Sequence, residues 1–161
     1  MDFKFLKGIS LIEIIVGSAI ISLILLSLGS VAQFSLYLTE KSLLRMQAVF
    51  LASEGIEAIK TIRDTSWSSR IANLTSGTNY YLTFSTNHFE TTISPPALID
   101  GVFQRRIVLE DVYRDANSDI TTLGGTLDSE TKKLNMYVSW THRNSTNEEV
   151  IRTYLTDIFD N

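Results

Sequence analysis

Glu13 stands at the head of a stretch with no other charge: from Ile14 to Thr39, 26 consecutive residues carry none. A carboxylate inside a membrane segment costs on the order of 2.5–3.5 kcal/mol near the centre, and less near a helix end. Such a residue is a functional candidate whose partner has to be found. Upstream, Lys4 and Lys7 precede Gly8, and Ile9 opens the apolar run. Glycine lacks a Cβ, exposes its backbone and resists helix. A basic leader that meets an apolar helix at a glycine is a place a protease can grip in extended form.

The other polar constellations are thinner. Asp115-Ala116-Asn117-Ser118-Asp119 alternates carboxylate and amide oxygens as a calcium loop does at its start. Ile120 then stands where such a loop has glycine, and Thr126 where it has a bidentate glutamate. Asp115, Asn117 and Asp119 are therefore weak calcium candidates, and a solvated loop running on to Gly124-Gly125 is the expected state. His88 and His142 are the only histidines, and they fall at strand or turn ends. No nucleophile elbow, phosphate-cradling glycine loop or zinc spacing is present, so nothing argues for an enzyme or a cofactor. The net charge of −4 gives no basic field for nucleic acid. A local basic patch around Arg105, Arg106 and Arg114 is the one exception to weigh. The absence of cysteine removes disulfides and thiolate chemistry together.

The elements that must carry these residues begin with a helix. At about 1.5 Å per residue the uncharged run spans roughly 39 Å, enough to cross a hydrocarbon core of about 30 Å with some tilt. It is too long for the apolar core of a secretory signal peptide. Flanking lysines and arginines tie at its two ends, so they do not orient it. Past Leu38 the pattern becomes amphipathic: Leu44, Ala48, Leu51, Ala52, Ile56, Ile59 and Ile62 recur at three- and four-residue steps. One helix from about Ile9 to Arg63 is expected, ended by Asp64-Thr65-Ser66. Trp67 is read as a core anchor, and a short helix is placed at Ser69–Leu74.

Strand patterns follow. Tyr80–Ser85 and Phe89–Ile93 read as a pair, and Pro95-Pro96 breaks the sheet. In Val102–Tyr113, Phe103, Ile107, Leu109 and Tyr113 share one face. Leu134, Met136, Val138 and Trp140 alternate with polar residues, and Arg143–Asn147 forms a turn. Glu149–Phe159 returns with Ile151, Leu155 and Phe159 as its buried set. The fold class is α+β: a long N-terminal helix, membrane-spanning in its first half, packs by its second half on a C-terminal antiparallel meander.

Lys7-Gly8-Ile9-Ser10-Leu11-Ile12-Glu13, with the apolar run behind it, resembles the processing motif of type IV pilins and of type II secretion pseudopilins. The segment Ala52–Asp64, with its Glu54-Gly55-Ile56-Glu57, is similar to minor pilins. Ile9 stands where the family usually has Phe, and no proline kinks the apolar helix, which leaves Gly17 and Gly29 for any local melting. The resemblance implies a leader at residues 1–8, cleavage after Gly8 by a prepilin peptidase, and methylation of Ile9. It implies a membrane and filament-core helix at 9–38, an amphipathic half at 39–64, and a globular β domain at 65–161. Glu13 becomes the assembly residue. The implied partners are the peptidase, other pilin or pseudopilin subunits and the cytoplasmic membrane, with the β domain outside the cytoplasm. Many major pilins carry a disulfide, so the missing cysteines favour a minor pilin or pseudopilin. The alternative is an uncleaved membrane-tethered binding module, an adhesin or a DNA-uptake component.

Overall fold

The computed structural model describes residues 11–159. The chain divides into two compact units, with the boundary after Leu43. The first helix, α1, runs from Leu11 to Thr65 without interruption, through Gly17 and Gly29 as well. It ends two residues later than the charge pattern suggests. Ser66 is the break: its backbone is extended, and its side chain caps the following turn by accepting from the Ser69 amide. That cap starts the short helix α2 at Trp67–Arg70, earlier than the Ser69–Leu74 expected from composition. Trp67 and Ile71 are buried beneath it, as a core anchor requires.

Six strands follow: β1 Asn79–Ser85, β2 His88–Thr92, β3 Phe103–Arg114, β4 Ile120–Thr121, β5 Thr126–His142 and β6 Ser145–Thr156. All pair antiparallel in the order β2-β1-β3-β5-β6, and β4 pairs the end of β3. The sheet is thus not a simple meander. Pro95 and Pro96 cannot donate to a ladder, and after them the chain passes back to set β3 beside β1 instead of β2.

Two hairpins close on two-residue turns, Thr86-Asn87 and Arg143-Asn144, whose four residues all have positive φ. This is the turn hand that suits strand twist. Because the second turn is so short, β6 begins at Ser145 and ends at Thr156. Leu155 is buried and Ile151 partly so, but Phe159 lies past the strand, 58% exposed, and is no core residue.

Ala48, Ala52, Gly55, Ile56, Ile59 and Ile62 of α1 are buried in one core with Phe103, Ile107, Leu109, Leu134, Met136, Val138, Trp140 and Leu155. Gly55 marks the closest approach. A Cβ there would come within 2.8 Å of both Arg105 Cδ and Met136 Cε. The small residues of this segment let the helix lie close on the sheet.

One irregularity redirects β3. A register shift between Asp111 and Val112 leaves residues 129–131 of β5 without a β3 partner. The alternation that would group Tyr113 with Leu109 is broken there, so Val112 is buried and Tyr113 is 43% exposed. Asp128 holds the irregular stretch together. It accepts from Arg114 Nε at 2.6 Å and from the Glu130 amide at 3.0 Å.

Burial by itself would raise the Asp128 pKa, but the bonds from Arg114, Thr131 and the Glu130 amide hold it below its ordinary value. A carboxylate with a depressed folded pKa adds stability above the unfolded pKa, and that stability is lost as the pH falls through the folded value. Asp128→Asn should therefore lower stability by about 1 kcal/mol at neutral pH. The gap from wild type should close as pH drops below the ordinary carboxylate range. Thermal unfolding of both proteins across that range checks this, and a gap that persists undiminished in acid would contradict it.

Candidate functional site

The first unit presents its apolar side chains outward all round. Leu11, Ile15, Ile21, Leu25, Leu28, Phe34 and Leu36 are each more than half exposed, and no residue in the most apolar 18-residue window is buried. Five of its hydroxyls are satisfied locally. Ser18, Ser22, Ser27, Ser30 and Thr39 donate their hydroxyls to carbonyls three or four residues earlier, at 2.7–2.9 Å. The segment is long and apolar enough to cross a membrane. Moving each large apolar side chain out of water is worth about 1.5–3 kcal/mol, so this surface is costly to leave in water.

Glu13 is the exception on this surface. It lies exposed near the start of the described part of α1. One turn ahead its neighbours are Val16 and Gly17, neither of which can pair with it. Among the described residues it has no ion-pair partner. Gly8 and Ile9, the other two residues singled out by the sequence, lie outside the described residues.

Arg105, Arg106 and Arg114, weighed as a local patch, are each engaged by different neighbours. Arg105 alternates with Phe103 and Ile107, so it turns into the core face, where its side chain is 7% exposed. Its Nη1 donates to the Leu51 carbonyl at 2.8 Å. Arg106 turns the other way, lies 3.7 Å over the Tyr137 ring and pairs with Glu148 at 3.0 Å. Arg114 is engaged by Asp128. Strand alternation and local carboxylates hold the three apart in their contacts.

The calcium candidates sit in the turn between β3 and β4. Asp115 Oδ1 accepts from the amides of Asn117 and Asp119 at 2.8 and 3.0 Å, and the Asp119 carbonyl accepts from the Asp115 amide. The turn closes on its own backbone. Among the described residues, no three His, Cys, Asp or Glu side chains are grouped to hold a metal. His88 is exposed on β2 and contacts Glu90 at 2.7 Å.

Among these candidates, one side chain was misplaced by reading the sequence. Arg105 was grouped with its neighbour in the chain instead of by face, although the period of two already set it with Phe103. The small residues around Gly55 already read as a helix crossing a sheet closely, and the structure places that close approach at Gly55. No protein-family model, curated protein or solved structure matches this chain.

Proposed function

We propose that this chain is a structural subunit of a membrane-derived filament, a minor pilin or pseudopilin of a type IV pilus or type II secretion-like assembly. The observation that carries the reading is an apolar helical segment, residues 11–38, exposed on every side, whose one charge, Glu13, is unpaired among the described residues. Such a helix suits two successive environments. Lipid covers it first, with the β domain outside the cytoplasm, and the helices of sister subunits cover it afterwards.

Cleavage between Gly8 and Ile9 by a prepilin peptidase is the switch between them. It frees an α-amine at Ile9, which is largely cationic at neutral pH because such groups titrate at about 7.7–8.0. In a low-dielectric bundle that cation and a neighbour's Glu13 are each costly alone and satisfied together. The pair would fix the register between subunits. Before cleavage the peptide nitrogen of Ile9 carries no charge, so the precursor cannot make it. No step of this scheme calls on an enzyme activity or cofactor of the chain.

Intact-mass analysis after co-expression with a prepilin peptidase tests the first step. The wild-type chain should lose Met1 to Gly8 and gain a methyl group at Ile9. Gly8→Leu should leave the precursor whole, because a bulky side chain blocks the extended grip that glycine permits. Identical masses for the two proteins would refute the processing scheme.

A further inference from the structure

β1 and β3 part company after a short pairing. Tyr80 pairs with Ile107, but from Tyr81 onward β1 is paired to β2. The chain rejoins β3 through the Ile99–Phe103 bridge. A cleft of about 530 Å³ opens between them, walled by Leu82, Phe84, Phe89 and Ile99, with Glu54 and Arg105 as its charged groups. That volume lies within the range of small-molecule sites.

Arg105 is not fully satisfied there. Its Nε is buried and bonds no partner, while Nη1 is shared between the Leu51 carbonyl and Glu54 Oε2, 3.4 Å away. Burial holds the Arg105 pKa below its ordinary value, offset only in part by Glu54. The guanidinium nonetheless stays charged. Its contact with Glu54 is longer than a good charge-assisted bond, and the Glu54 side chain is 56% exposed. Glu54 is therefore the group that gives way. The aromatic wall is also left open to water. Phe84 is 66% exposed, and its ring meets Phe89 edge-on at 5.1 Å.

We propose that this cleft binds a small apolar carboxylate, which replaces Glu54 on Arg105 and lays its hydrocarbon body against Phe84 and Phe89. A planar carboxylate matches the guanidinium fork. A singly charged group takes the place of Glu54 on Arg105 while the half-exposed Glu54 side chain turns to solvent, whereas a phosphate dianion would add a second charge there. The proposal is independent of the filament reading, since all of its residues belong to the second unit.

The test uses the full chain in detergent micelles, labelled with nitrogen-15 at arginine, and titrated with 3-phenylpropionate to about 10 mM. The Arg105 Nε–H resonance, assigned by its loss in Arg105→Lys, should shift and saturate. Phenylpropanol and phenethylamine, which lack the carboxylate, should leave it in place. Glu54→Gln removes the internal competitor and should tighten binding by roughly fivefold or more. Phe84→Ala, at an exposed position that the core does not need, should weaken it by roughly fivefold. No saturable shift, an equal response to the alcohol or amine, or an affinity unchanged in Glu54→Gln would overturn the proposal.

Discussion

A fragment beginning at Thr39 is expected to be soluble and to unfold cooperatively, whereas one beginning at Asp64 is expected to aggregate. The first keeps the whole amphipathic stripe and also Arg45, which pairs with Glu149 at 3.0 Å. The second removes Ile56, Ile59 and Ile62, all buried in the shared core. Burial of three isoleucines is worth roughly 5–9 kcal/mol at about 1.5–3 each. That is comparable with the whole stability of a small domain, about 5–15 kcal/mol. Its loss also bares the sheet face carrying Leu134, Met136 and Val138, which would be an adhesive patch. Size-exclusion chromatography and thermal unfolding of the two fragments check this. A cooperative transition from the shorter fragment would show that the helix is dispensable to the core.

Hydrophobic period carried most of the fold into view, and pairing carried the rest out of it. The uncharged run and the three-four stripe from Leu44 to Ile62 marked both halves of α1, because a helix face repeats locally. Alternation placed Leu134, Met136, Val138 and Trp140 inside for the same reason. The order of strands was not legible, since the return past Pro95-Pro96 depends on which edge is free in space. The register shift after Asp111 was equally hidden: it arises from residues 129–131 of the partner strand, and it turned out Tyr113 against its pattern.

At the sites the contrast is similar. Glu13 could be picked out because one charge in an apolar helix is visible in one dimension. The cleft at Arg105 could not, because it exists only where two strands diverge, and Glu54 reaches it from a helix 51 residues away in the chain.

Glu13 is also where the account is most exposed to contradiction. Glu13→Val makes the helix more apolar, so membrane insertion should be unchanged or easier. The Gly8–Ile9 bond should still be cut, since the leader and the glycine are intact. Incorporation into filaments should fail, because a neighbour's Ile9 amine would be buried without its counter-charge. Removing one partner of a buried pair costs about 3–5 kcal/mol, which at 1.4 kcal/mol per tenfold is a loss of more than a hundredfold. Glu13→Gln keeps an acceptor but no charge and should fall between. The decisive quantity is the amount of processed subunit in sheared filaments relative to membranes for wild type, Glu13→Gln and Glu13→Val. A graded fall across the three is the expected result, and equal incorporation of all three would contradict charge pairing as the basis of assembly.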